Sequence, residues 1–249
     1  MRVNTLLSLD DNYIYFIETD SGAICVDPSE AQPVLDHLEG KEIKHLDILI
    51  THHHQDHIGG ITALKESLDC TVIGPDKERI AEQDTDVEGG QTLAIDSLNF
   101  KVYALPGHTS THVAFYEPQL GWLFCGDTLF AGGCGRLFEG SPEEMLGSLK
   151  TLMKLRDDTQ IFCGHEYTQK NLEFALSLEP ENKAVFNRLE MVKKLRERGL
   201  PSVPFSMCEE KRTNPFLRVH EDGLKRAVDM GRYSDLEVFT YIRNQRRAF

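Results

Sequence analysis

Short apolar runs broken by Gly, Pro or Asp dominate the chain to about residue 164, and helical spacing takes over after it. Tyr13–Ile17, Ala23–Val26, Leu46–Thr51, Thr71–Ile73, Phe100–Ala104, His112–Tyr116 and Trp122–Cys125 read as strands. Stretches of this length, rich in β-branched and aromatic residues and bounded by turn residues, suit a pleated buried surface. Ile58–Leu68 and Pro142–Leu155 read as helices between them, the second with Ser141 as cap and Pro142 in its first turn. Beyond His165, the span Asn182–Arg198 sets Val185, Phe186, Leu189, Val192 and Leu195 at helical spacing, and Gly199 stops it. Leu172–Leu178, Glu221–Met230 and Ser234 to the end complete the helical part. The pattern therefore predicts an α/β domain over residues 1–165 and a small helical domain over 166–249.

Composition narrows the classes. With 40% hydrophobic and 27% charged residues the chain has the balance of a globular protein rather than a disordered one. No run of about 18 apolar residues predicts a membrane span. The stretch Met1–Leu9 lacks the long apolar centre of a secretory signal, which predicts a cytoplasmic protein. A net charge of −13 repels nucleic-acid backbone. Six cysteines occur without a C-x-x-C pair, so they read as small apolar residues of a reducing compartment.

The strongest chemistry lies in Thr51-His52-His53-His54-Gln55-Asp56-His57-Ile58-Gly59-Gly60, after the apolar run Ile48-Leu49-Ile50. In extended chain, alternate side chains share a side, so His52, His54 and Asp56 can point together, with His57 joining if the chain turns. Imidazoles and a carboxylate suit zinc, iron or manganese. An isolated His-rich tract can also be a weak surface metal trap. Against that, His108, Asp127 and His165 each follow an apolar strand and a glycine, in Pro106-Gly107-His108, Cys125-Gly126-Asp127 and Cys163-Gly164-His165. His53 falls off the ligand face. His112 is expected to pack or orient the loop around His108, and His37, His45 and His220 look like surface residues.

This set, H-x-H-x-D-H followed by a distant His, Asp and His, resembles the metallo-β-lactamase superfamily. The resemblance implies an αββα sandwich with a binuclear metal site at one edge. Position by position, it implies that His52, His54 and His108 hold one divalent ion, that Asp56, His57 and His165 hold the other, and that Asp127 bridges them. Zinc is the first expectation, with iron or manganese as alternatives. Two cations about 3.5–4 Å apart can bring a shared water's pKa to roughly 7 and polarise a carbonyl. Asp56 and Asp127 would then orient the attacking hydroxide. A thiol of pKa about 8.5 leaves as thiolate without a dedicated acid, which suits thioesters.

Four further segments narrow the resemblance. Phe130-Ala131-Gly132-Gly133-Cys134-Gly135-Arg136-Leu137-Phe138-Glu139-Gly140 follows Asp127, and Gly164-His165-Glu166-Tyr167-Thr168 carries the last histidine. Thr213-Asn214-Pro215-Phe216-Leu217-Arg218 and Arg243-Asn244-Gln245-Arg246-Arg247-Ala248-Phe249 lie in the helical part. In this order they closely resemble the glyoxalase II (hydroxyacylglutathione hydrolase) family over essentially the whole chain. The resemblance implies hydrolysis of S-D-lactoylglutathione and other S-2-hydroxyacylglutathiones to D-lactate, or the corresponding acid, and glutathione, in methylglyoxal detoxification. It also implies a helical substrate-binding domain over 166–249, with Arg136, Tyr167, Arg243 and Arg246 as substrate contacts. Guanidinium groups suit the two carboxylates of glutathione. Without the family match, Arg243 and Arg246 read as a solvated basic helix end. Arg136 and Arg246 stand where some members have Lys, and Phe138 where others have Tyr. The expected partner is a small-molecule thioester, met by a monomer, with no nucleic-acid or membrane partner.

Overall fold

The computed structural model describes all residues, Met1–Phe249. They form two compact units, Met1–Ala104 with Thr111–Gly126, and Leu105–Ser110 with Asp127–Phe249.

The first unit contains β1 (Val3–Ser8), β2 (Asn12–Glu18), β3 (Ala23–Val26), α1 (Gln32–Leu38), β4 (Leu46–Leu49), α2 (Gln55–Ile58), α3 (Ile61–Ser67), β5 (Cys70–Gly74) and β6 (Thr85–Asp86). It then runs through β7 (Thr92–Ile95), β8 (Leu98–Ala104), β9 (Val113–Glu117) and β10 (Trp122–Gly126). Strands β1 to β6 lie side by side in chain order, antiparallel as far as β3 and parallel from there. Strands β7 to β10 form an antiparallel meander.

In β2 the run Tyr13–Ile17 is apolar instead of alternating because both faces of the strand are covered. Ile14 and Phe16 on one face join Val34 and Leu38 of α1 and Ile61 and Leu64 of α3 in a buried cluster. Tyr15, on the other face, meets Phe124 of β10 at 5.7 Å between ring centroids. A strand covered on both faces has no solvent side on which polar residues could sit.

The second unit contains β11 (Leu129–Phe130), β12 (Gly133–Cys134), α4 (Pro142–Leu152), β13 (Gln160–Cys163), α5 (Thr168–Leu178), α6 (Lys183–Glu197), β14 (Phe205–Ser206), α7 (Met207–Thr213), α8 (Asp222–Ala227) and α9 (Asp235–Ala248). Ser141 caps α4 in a reciprocal arrangement with Glu144, and Ser234 caps α9 with Glu237 in the same way. Helices α5 and α6 pack through Leu172, Ala175, Val185, Leu189 and Val192. Phe186, expected on that face, is instead exposed. Its position next to Val185 turns it about 100° away from the buried stripe.

Two expected helices change shape. The single helix over 58–68 is two pieces, α2 and α3, separated by Gly59-Gly60. A side chain at either glycine would strike the 29–31 backbone, Ser29 O at 2.5 Å or the Glu30 carbonyl carbon at 2.6 Å. The helix over 221–230 ends at Ala227, and Asp229 takes a left-handed φ of 58°. No helix is long and apolar enough to cross a membrane.

Candidate metal centre

In the first unit the parallel pairing of β3 and β4 sets their ends side by side, with Asp27 N–H donating to the Leu49 carbonyl at 3.0 Å. Asp27 is therefore delivered beside Thr51, and it is buried. Its carboxylate accepts from Thr51 N–H at 2.8 Å, from Thr51 Oγ1 at 2.7 Å and from His57 Nδ1 at 3.0 Å. Because the Thr51 hydroxyl proton goes to Asp27, Thr51 Oγ1 accepts from His52 Nδ1, 3.0 Å away. Both His52 and His57 thus carry their proton on Nδ1 and turn an Nε2 lone pair to the site. His52 Nε2 lies 3.1 Å from His54 Nδ1.

His54 is the last extended residue before α2, with φ −63° and ψ 142°. Asp56 therefore arrives on a helical turn and not by alternation along an extended strand. The turn closes with His57 N–H donating to the His54 carbonyl at 2.9 Å, and it sets Asp56 Oδ2 3.7 Å from His57 Nε2. Asn12 donates to the Asp56 carboxylate at 3.2 Å and to its carbonyl at 2.9 Å, which fixes its direction. Ligand atoms of Asp27, His52 and His57 lie within 4.8 Å of one another.

In the second unit His108, Asp127 and His165 are all buried. His108 Nδ1 donates to the Arg136 carbonyl at 2.8 Å, leaving its Nε2 lone pair 3.4 Å from Asp127 Oδ2. His165 Nε2 lies 3.3 Å from the same oxygen. Two donors on one tetrahedral ion with bonds of about 2.1 Å stand about 3.4 Å apart, so these spacings fit metal ligation. The donor chemistry of both units, imidazole and carboxylate, suits divalent transition ions.

The basic residues also belong to the second unit. Arg136 is exposed and Arg243 is buried, with its Nη1 donating to the Cys134 carbonyl at 2.9 Å. Arg246 is half-buried, and both its Nε and Nη2 donate to Asn171 Oδ1 at 3.2 Å. Burial, then the charges of Arg243 and Arg136, hold the Arg246 guanidinium below its ordinary pKa, so three cations share one neighbourhood. Tyr167 stacks on His165 with centroids 4.8 Å apart and planes 2° from parallel, and Phe130 meets both rings edge-on. Phe138 is exposed and lies edge-on to His108 at 5.3 Å.

The remaining histidines separate. His112 stacks on His52, with ring centroids 4.8 Å apart. His53 is half-buried and faces Arg79 at 3.3 Å. Asp27 and Thr51 join the site without having been expected there. The available signal was a carboxylate closing the apolar run Ala23–Val26, in a place where a polar group needs a reason.

Two family models divide the chain between them: the metallo-beta-lactamase superfamily over residues 8–165, and the hydroxyacylglutathione hydrolase C-terminus over 166–249. A hydroxyacylglutathione hydrolase of Methylobacillus flagellatus is 45% identical over 98% of both chains. One of Legionella pneumophila is 42% identical over the full length of both. The chain belongs to the hydroxyacylglutathione hydrolase family. Among solved structures, TTHA1623 in a di-iron-bound form is 27% identical with a TM-score of 0.62, over 85% of this chain and 98% of that one. ETHE1 from Myxococcus xanthus, 23% identical with a TM-score of 0.65 over 100% of this chain and 99% of that one, shares the fold. The expected α/β architecture, a metallo-β-lactamase fold with a helical C-terminal region, is thus that of a hydroxyacylglutathione hydrolase.

Proposed function

We propose that the chain hydrolyses S-D-lactoylglutathione and related S-2-hydroxyacylglutathiones to the 2-hydroxy acid and glutathione, as a step of methylglyoxal detoxification. Full-length family membership, including the separate match over 166–249, carries this reading. The catalytic part would be residues 1–165 and the substrate-binding part 166–249.

In this reading His52, His54 and His108 would hold one divalent ion, Asp56, His57 and His165 would hold a second, and Asp127 would serve both. Zinc is the first candidate, and iron or manganese are compatible with the same donors. When bound, such a pair supplies a water of lowered pKa and polarises the thioester carbonyl. The protein's own part is orientation. Asp27 and Thr51 keep the His52 and His57 protons on Nδ1, and the Arg136 carbonyl does the same for His108. Asp56 and Asp127 would accept hydrogen bonds from the attacking water and so orient it towards the carbonyl carbon. The thiol departs as thiolate, so no acid need be found among the neighbouring side chains.

Arg136, Tyr167, Arg243 and Arg246 serve the glutathionyl part. Arg136 and Arg246 offer guanidinium edges to its carboxylates, and Tyr167 offers a hydroxyl from a ring fixed against His165. Arg243 adds its charge from behind the Cys134 turn. We take the protein to be a cytoplasmic monomer acting on a small-molecule thioester.

The test is loss of thioester absorbance with S-D-lactoylglutathione, run beside metal analysis of the purified protein. Turnover with about two metal ions per chain is expected. No cleavage with metal restored, or one iron per chain with oxygen uptake on glutathione persulfide, overturns the reading.

A further inference from the structure

The turn that follows Asp127 cannot hold itself. β11 and β12 are two residues each, and Gly132 between them has a left-handed φ of 67°. Side chains from later helices meet its backbone at five successive residues. Asn214 Nδ2 donates to the Phe130 carbonyl at 3.3 Å and to the Gly133 carbonyl at 2.9 Å. Asn171 donates to the Ala131 carbonyl at 3.1 Å, and Arg243 to the Cys134 carbonyl at 2.9 Å. Gly132 N–H donates to the Glu210 carboxylate at 3.0 Å.

Glu210 is the centre of this set. It is fully buried, and the groups facing it are all donors: Arg188 Nη1 at 2.6 Å, Asn214 Nδ2 at 2.7 Å and Gly132 N–H. A buried ion pair stabilises a fold no better than well-packed apolar residues of the same volume, so helix packing alone gives no reason for one here. A short glycine turn with backbone groups to satisfy does give a reason.

We infer that Glu210, paired with Arg188 and joined by Asn214 and Asn171, is a positioning residue that fixes the turn over 130–136. The same turn ends on Arg136, whose carbonyl orients His108. Asn171 uses its other end to accept from Arg246, so one support sets both basic groups. The catalytic consequence rests on the proposed glutathione-thioester activity, whereas the clamp itself does not.

The experiment compares Glu210→Gln with wild type by hydrogen exchange over residues 128–137 and by steady-state kinetics. The amide introduced by Glu210→Gln would set a donor against groups that are themselves donors. Exchange in that segment should rise about tenfold or more, from the loss of hydrogen bonds to a charged group. KM for S-D-lactoylglutathione should rise about tenfold, while the lactoyl thioester of N-acetylcysteamine, which has no carboxylates, changes less than about twofold. Val192→Ala, in the α5–α6 core, is the control for general destabilisation and should leave exchange in 128–137 unchanged. If Glu210→Gln does not fold, Asn171→Ala carries the same expectation. Wild-type exchange in a folded variant, or equal loosening by Val192→Ala, overturns the inference. Loosening of the turn in a protein whose wild type leaves the glutathione thioester intact would remove the functional reading and keep the clamp.

Discussion

The two units carry the side chains proposed to bind metal in opposite ways. In the first, His52, His54, Asp56 and His57 fall within six residues, and one buried anion, Asp27, organises them through Thr51 and His57. In the second, His108, Asp127 and His165 are spread over more than fifty residues, and their order comes from a backbone carbonyl and from the shared oxygen of Asp127. A compact motif needs one orienting group. A dispersed one needs each strand end and each following loop held separately, and so depends on more of the fold.

The largest expected effect lies at the dispersed set. Asp127→Ala removes the one oxygen that both His108 and His165 face. Turnover should fall by about a thousandfold, because both metal placement and water orientation are lost. Metal analysis should show less than the wild-type content. Normal turnover with full metal would show that the second unit's histidines do not depend on a shared carboxylate, and the contrast with the first unit would vanish.

The compact set has a corresponding weak point in Asp27. Asp27→Asn can keep an oxygen towards Thr51 N–H, but its amide then faces Thr51 Oγ1 and His57 Nδ1, both donors in the wild type. His57 can accept from that amide only by moving its proton to Nε2, the nitrogen needed for the metal. Loss of an orienting partner of this kind lowers metal affinity by about ten- to a hundredfold. A chelator competition should therefore strip Asp27→Asn at a lower concentration than wild type. Equal resistance would mean that the compact motif holds its geometry without the buried anion.

How much of the site is legible in the sequence follows the same contrast. His52, His54 and His57 can be found from spacing, and β3 reads with its observed ends because Ala23–Val26 is wholly apolar. Spacing finds Asp56 for the wrong local reason. Alternation along a strand cannot foresee that α2 begins at Gln55, directly after the extended His54, with His57 N–H closing the turn on the His54 carbonyl. Glu210 escapes because a lone carboxylate says nothing until burial and partners are known, and Asp27 because its place after an apolar run marks it without naming its partners. β1 and α7 escape because their sequences are half polar and carry no clean period.

The smallest effect separates stability from site geometry within one helix. Ser141 and Ser148 both belong to α4, one as its cap and one on its inner face. Removing the Ser141 hydroxyl leaves the Glu144 N–H without its cap and should cost about 1 kcal/mol, roughly 2–4 °C in Tm. Ser148 Oγ donates instead to the Pro106 carbonyl at 2.7 Å, two residues before His108. Ser148→Ala should cost about as much, since it leaves a carbonyl short of its donor. Only Ser148→Ala, however, frees the backbone that carries His108, a proposed metal ligand. Chelator competition should therefore show a few-fold loss of metal affinity in Ser148→Ala and none in Ser141→Ala at matched Tm. If both variants retain metal equally, the His108 loop is held by its other bonds, from Phe138 N–H to the His108 carbonyl and from Gly140 N–H to the Gly107 carbonyl. The dispersed half would then be better supported than its spacing in the sequence suggests.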